Sequence, residues 1–237
     1  LALERAALTR QVDEDRRVAK PVVMAAQGIC YTVGFELMLA CDVREPEQIR
    51  AAVEAAVREL GPVDLLVANA GISGMTRTEA FSADVVEDVM RTNFLGPVHA
   101  VEAVLPSMLE RRSGHLVAVG SLAGYGGLPR SAAYSASKGA LHNFFESLRL
   151  DLRGTGVDVT VITPGYVKTE LTAKNDHRMA FLLELDDAVE RMARGIERRD
   201  ALVAFPLPLF AVVWMAQVLP AAIYDRIGSR VRRDKRE

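Results

Sequence analysis

A doubly wound parallel α/β sheet is the fold this chain predicts, on three observations. Short apolar runs recur along it, Leu37 to Val43, Asp64 to Ala70, His115 to Ser121, Val157 to Thr163 and Leu202 to Phe205, and they are apolar enough to be strands buried on both faces. Between the runs lie segments with helical periodicity, so strand and helix alternate. Asp42, Asn69 and Ser121 stand at strand ends, where a parallel sheet opens its crevice.

The elements follow in order. Leu1 to Arg17 is charged and helix-friendly and carries no motif. Pro46 opens a helix at its first turn, Ile49, Val53, Ala56, Val57 and Leu60 mark its apolar stripe, and Gly61-Pro62 stops it. Phe81 to Arg112 predicts a longer helix, interrupted around Gly96-Pro97. Ala132 to Arg153 predicts the helix that carries Tyr134 and Lys138, and Asp186 to Arg198 another after an expected lid. Leu207 to Leu219 is left as a short apolar helix after the last strand. There is no internal repeat.

At 237 residues, half of them hydrophobic, with a formal charge of −2, the chain fits one soluble domain with a sizeable core and offers no general nucleic-acid surface. Cys30 and Cys41 form neither a disulfide framework nor a metal spacing, and His99, His115, His142 and His177 show no ligand pattern, so no metal is expected. The charged N-terminus is no signal peptide, which leaves a reducing cytoplasm as the expected compartment. Ala201 to Tyr224 carries no charge and is long enough to cross a bilayer, yet Pro206, Pro208 and Pro220 interrupt it. A subunit-interface or substrate-covering helix, a membrane-surface contact and a spanning helix are all open for it. The basic tail from Arg226 to Lys235 is either a solvated end or an acidic-lipid contact.

Chemistry concentrates in Tyr134-Ser135-Ala136-Ser137-Lys138. A phenol and an ammonium at i, i+4 share one helix face. A free tyrosine has a pKa of about 10, and a nearby cation such as Lys138 favours its phenolate. Ser121, at the end of a buried strand, has a hydroxyl placed to donate to a substrate oxygen.

Taken with Asp42-Val43, Asn69-Ala70-Gly71, Asn93, Gly120-Ser121-Leu122-Ala123-Gly124 and Pro164-Gly165-Tyr166-Val167-Lys168-Thr169, this motif resembles the classical short-chain dehydrogenase/reductase family, from about Leu37 onward. The resemblance implies a Rossmann-like fold, NAD or NADP as cofactor, and hydride exchange with a small apolar carbonyl or secondary alcohol. It implies Tyr134 as acid/base, Lys138 lowering its pKa and holding the nicotinamide ribose, Ser121 binding the reacting oxygen, and Asn93 disrupting its helix to anchor a relay water. For cofactor binding it implies Asp42 and Val43 near the adenine, Asn69, Ala70 and Gly71 along the adenosine half, and Pro164, Gly165, Val167 and Thr169 beside the nicotinamide. Residues 122–128 and 172–183 are expected to line the substrate pocket. A homodimer through the helices of Asn93 and Tyr134 is implied as well, with Val98, Val101, Val104, Leu105, Leu141, Phe144, Phe145 and Leu148 as the apolar surface.

The first forty residues depart from that pattern. The family's Gly-rich turn, which holds the cofactor pyrophosphate at a helix N-terminus, has no counterpart before Asp42, and the stretch from Gly28 to Gly34 has bulky residues where backbone must approach phosphate. Lys20 to Gly28 followed by Gly34 to Asp42 resembles instead the enoyl-CoA hydratase (crotonase) core over about residues 18–42, with Glu36 at a catalytic position and the Val33 N–H at an oxyanion position. Two segments are therefore expected: 1–40, a crotonase-like fragment, and 41–237, a dehydrogenase-like domain whose first βαβ unit is missing or replaced. Loss of pyrophosphate contacts, about 1.5–3 kcal/mol each, predicts weak cofactor binding, and the residue that selects NAD or NADP is unreadable. A silent dimerising subunit, and more remotely acyl-CoA hydration, stand as alternatives.

Overall fold

The structure, a computed structural model, describes residues 22–25, 41–169, 172 and 179–234. Its core is one parallel sheet of five strands in the order β1-β2-β3-β4-β5: β1 (Val22–Ala25), β2 (Leu65–Ala68), β3 (Gly114–Val119), β4 (Val157–Pro164) and β5 (Leu202–Phe205). The register is continuous, with Leu66 opposite Leu116, Leu116 opposite Val159, and Ile162 opposite Val203. Among the described residues the strands follow chain order, and helices cover both faces.

Side-chain alternation along the strands makes the two layers. Leu66, Ala68, Leu116, Ala118, Val159 and Val161 face one core cluster, where they meet α1 (Pro46–Leu60), α3 (Gly96–Arg111) and α4 (Ala132–Asp151). Val67, Val117, Ile162 and Phe205 face the other, which is packed by α5 (Leu185–Glu197) through Ala188, Met192 and Ile196. α2 (Ala83–Met90) precedes α3, and α6 (Leu207–Ala216) and α7 (Ala221–Asp234) end the fold.

Local signals set most boundaries. Pro46 sits in the first turn of α1, and Gly61 closes it at φ 88°, a backbone that favours glycine. Of the expected stripe, Ile49, Val53 and Ala56 are buried, while Val57 and Leu60 face water. The strand expected over Leu37 to Val43 is not formed where it can be seen. Cys41 and Asp42 are irregular and Val43-Arg44 turn, because the Asp42 carboxylate draws the chain back by accepting from the Arg44 N–H at 3.0 Å. Residues 37–40 lie outside the described residues, as do Gly28 to Gly34, Val33 and Glu36 of the crotonase-like stretch. Inside that stretch, β1 pairs with β2 in the same sheet.

The long helix between residues 81 and 112 is interrupted around Gly96-Pro97, as expected, by a π-helical turn, Arg91–Leu95, that ends at Gly96. Gly96 falls where a Cβ would stand 3.0 Å from the Val43 carbonyl oxygen, so it serves the packing of α3 on the 43–44 turn. No described helix is long and apolar enough to cross a membrane.

Two glycines in the turn between α4 and β4 separate backbone conformation from crowding. Gly154 (φ 79°) has open space around it, whereas a Cβ on Gly156 (φ 91°) would lie 2.0 Å from the Arg112 carbonyl oxygen. Gly154→Ala should therefore cost only the left-handed penalty of about 1–2 kcal/mol, and Gly156→Ala clearly more. Urea denaturation of the two variants checks the difference, and equal losses would contradict the packing.

Candidate functional site

The C-terminal ends of β2 and β3, the π-helical turn and the first two turns of α4 converge. Ser121 comes after β3 in extended backbone and caps a short 3₁₀ turn, Leu122–Tyr125, by accepting from the Ala123 N–H at 3.1 Å. Its hydroxyl lies near enough to the Tyr134 phenol to act on the phenol's pKa. Two glycines, Gly124 in this turn and Gly139 in α4, permit that approach. A Cβ on Gly124 would stand 2.9 Å from the Lys138 carbonyl carbon, and one on Gly139 would stand 3.1 Å from the Gly124 oxygen.

Lys138 is buried, 4% exposed. Its Nζ donates to the Val119 carbonyl at 2.8 Å and stands 6.0 Å from the centre of the Tyr134 ring. Gly71 abuts it, since a Cβ there would fall 3.3 Å from that Nζ and 3.6 Å from the Asn93 Oδ1. Desolvation lowers the ammonium's pKa to about 8. The same dryness pushes the Tyr134 phenol up, only partly offset by the nearby Ser121 hydroxyl. In the resting protein burial therefore outweighs any lowering of the phenol's pKa.

Asn93 is fully buried in the π-helical turn and uses its whole amide. Oδ1 accepts from the Ile72 N–H at 2.8 Å, while Nδ2 donates to the Ile72 carbonyl at 2.9 Å and to the Ser137 Oγ at 3.0 Å. Ser137 in turn donates to the Tyr134 carbonyl at 2.8 Å. A polar side chain in mid-helix flags Asn93 in the sequence. Ser137, Gly139 and Ile72 carry no such flag, because their roles exist only once the loop after β2 lies against α4.

The remaining residues divide. Asn69 is exposed at the end of β2 and Ala70 is buried behind it. Pro164 ends β4, and a Cβ on Gly165 would meet Pro206, Leu209 and Leu122 at 3.0, 3.1 and 3.5 Å. Val167 is buried and bridged to Leu183, its carbonyl accepting from the Thr172 hydroxyl at 2.6 Å, and the Thr169 N–H donates to Thr172 at 2.9 Å. Asp42 keeps a different company: its carboxylate takes the Arg44 guanidinium at 2.7 to 3.1 Å, which lowers its pKa. Val43 packs its side chain into the core. Among the described residues no group of His, Cys, Asp and Glu is placed to hold a metal.

Two measurements test this geometry. The folded protein releases the Lys138 proton near pH 8, whereas the unfolded chain keeps it until its ordinary 10.5, so the lysine's burial penalty is full below pH 8 and fades as pH rises through that window. The stability of Lys138→Met minus that of the parent should fall by on the order of 3 kcal/mol from pH 8 to 10.5, by urea denaturation; a flat difference would contradict the buried ammonium. Asn93→Ala strands both Ile72 backbone groups and should lose roughly 2–6 kcal/mol, at about 1–3 for each orphaned group. A loss under about 1 kcal/mol would mean that the amide bonds are not made.

Comparison with known proteins bears on this constellation. A family model for short chain dehydrogenase matches residues 16–180. An uncharacterized oxidoreductase of Myxococcus xanthus is 49% identical over 191 residues, 81% of this chain and 76% of the relative. Dehydrogenase/reductase SDR family member 7B of Bos taurus is 34% identical over 208 residues, 82% of this chain and 64% of the relative, so the chain spans less than two thirds of that protein. Among solved structures, an actinorhodin polyketide ketoreductase variant with NADPH aligns at TM-score 0.62 and 30% identity, covering 70% of this chain and 74% of its own. A short chain dehydrogenase/reductase from Burkholderia phymatum in complex with NAD aligns at TM-score 0.67 and 25% identity, covering 73% and 72%. Because the family model runs through Asn93, Ser121, Tyr134 and Lys138 in the order in which the fold gathers them, and relatives share a third to a half of the aligned residues, this chain belongs to the short-chain dehydrogenase family.

Proposed function

We propose that this chain is an NAD(P)-dependent oxidoreductase in which Tyr134, Ser121 and Lys138 act on a small apolar carbonyl or secondary alcohol. The observation that carries it is the buried Lys138 ammonium, anchored on the Val119 carbonyl at the end of β3 beside the Tyr134 ring, with the Ser121 hydroxyl near enough to the phenol to act on its pKa. One substrate oxygen placed between the two hydroxyls would accept from both.

The residues fit the nicotinamide end of such a cofactor. Gly71 leaves free the volume that a Cβ would fill beside Lys138, and Asn69 is open to a ligand at the end of β2. Lys138 and Asn69, with Gly71, would hold that end, and Pro164, Gly165, Val167 and Thr169 would wall it; Ala70 and Val43 support the fold behind. When bound, the cofactor supplies or receives the hydride. Asp42 would reach the adenine only by exchanging its Arg44 fork for it. No Gly-rich turn for the pyrophosphate is read in the sequence before Asp42, residues 26–40 lie outside the described residues, and weak binding remains the expectation for segment 1–40 joined to domain 41–237.

Proton handling is set by desolvation. With its pKa raised, Tyr134 is neutral at physiological pH and is a donor. As a carbonyl is reduced, the phenol gives its proton to the developing alkoxide while the Ser121 hydroxyl donates to the same oxygen. Lys138, with a pKa of about 8, is mostly cationic at neutral pH and stabilises the tyrosinate left behind. Asn93 orients Tyr134 through Ser137 rather than touching the substrate.

A homodimer in the cytoplasm is the proposed state. The helix surface available for pairing is smaller than the sequence suggests, since Val101, Val104, Leu141 and Phe145 are buried in the core and Val98, Leu105, Phe144 and Leu148 are left at its edge. Contact with a membrane would be from its surface, through α6 and the basic tail. Tyr134→Phe should lower kcat for NADPH- or NADH-dependent reduction of a carbonyl panel by about 10²–10⁴-fold, with the calorimetric affinity for either cofactor nearly unchanged. Retention of activity in this variant would overturn the assignment.

A further inference from the structure

The last two helices expose more apolar surface than a free protein face needs. α6 buries no residue fully and bears no charge. Leu207, Val212, Trp214 (56% exposed) and Met215 face water, as do Val218 (78%) in the link and Ile223 and Ile227 on α7. A large exposed patch of this kind marks a partner or a membrane. The charge of the adjoining chain decides between them: from Ala221 to Glu237 it has Arg226, Arg230, Arg232, Arg233, Lys235 and Arg236 against Asp225, Asp234 and Glu237. Apolar helix and cationic flank side by side match an acyl layer under anionic headgroups, with α6 lying in the interface plane. A second copy fits less well, because a two-fold contact through this patch would set the same cationic segment against itself.

These helices are also tied to the catalytic loop. Tyr125, in the 3₁₀ turn next to Ser121, meets Phe210 of α6 edge-on at 5.4 Å. The Tyr224 hydroxyl of α7 donates to the Gly127 carbonyl at 2.7 Å. Gly165 leaves room for Leu209. We propose that α6 and α7 dock on an anionic lipid surface and hold the Ser121 loop there, so that the substrates taken are carbonyls or alcohols dissolved in the lipid phase. The docking stands alone; the substrate class rests on the oxidoreductase reading above.

Trp214 is the only tryptophan in the chain, so intrinsic fluorescence reports α6 directly. On titrating the full chain with vesicles of phosphatidylcholine containing phosphatidylserine, Trp214 emission should shift to the blue and the protein should float with the vesicles, more weakly on phosphatidylcholine alone. Val212→Glu with Val218→Glu should weaken binding about tenfold or more, and each of Arg230→Gln, Arg232→Gln and Arg233→Gln about fivefold on the anionic vesicles. Absence of a shift on either vesicle, or unchanged binding by the glutamate variant, overturns docking. If the glutamates instead convert an oligomer to a monomer, a second copy covers the patch and the lipid inference falls. Flotation needs no cofactor. Vesicle binding without nicotinamide turnover would therefore remove only the oxidoreductase reading, and turnover of a water-soluble carbonyl without vesicle binding only the lipid one.

Discussion

One buried amide holds the site together. Asn93 closes a two-way pair with the Ile72 backbone and reaches Ser137 with its remaining N–H, so the loop after β2, the π-helical turn and α4 share a single side chain. An unpaired amide in this dry place would cost several kcal/mol, whereas the satisfied one costs little. That asymmetry makes the arrangement all-or-none. The extra residue in the helical turn is what brings Asn93 to face Ile72, and a regular helix would carry its side chain to another azimuth.

Dryness then governs the chemistry. Lys138 donates to a backbone carbonyl and sits in a region that penalises its charge. The penalty is a cost in stability borne by the fold for a group that a negatively charged oxygen nearby would welcome. Tyr134 experiences the same environment with the opposite formal consequence, because its neutral form is favoured. At neutral pH Lys138 is still mostly cationic, so a tyrosinate formed at Tyr134 would find a compensating charge that offsets part of what desolvation costs it.

The sheet is largely legible in the sequence, since strands buried on both faces announce themselves by uninterrupted Val, Leu and Ile, and β5 has the limits its apolar run suggests. α1 is legible for a different reason: Pro46 and Gly61 are local start and stop chemistry that needs no tertiary partner. What escapes depends on distant contacts. Gly96-Pro97 mark the place of the interruption but not its form, since proline is harmless in the first turn of a helix and Gly96 answers to Val43. α7 reads as a charged tail because its apolar positions are few, and its Tyr224 finds Gly127 only in the fold. Of the site, the side chains with unusual chemistry stand out. Ser137 and Gly139, ordinary helix residues until α4 is seated, do not.

The crossing of Gly124 over Gly139 has a consequence for how the site can change. Because loop and helix touch backbone to backbone there, the spacing between the main chain of the Ser121 loop and that of α4 is set by two glycines and not by side chains. Residues 125–128, beyond the crossing, are held differently, Tyr125 by the rings of His142 and Phe210 and Gly127 by the Tyr224 hydroxyl. A change of substrate can therefore come from the ends of α6 and α7, which set these side-chain contacts, while the backbone crossing is left as it is.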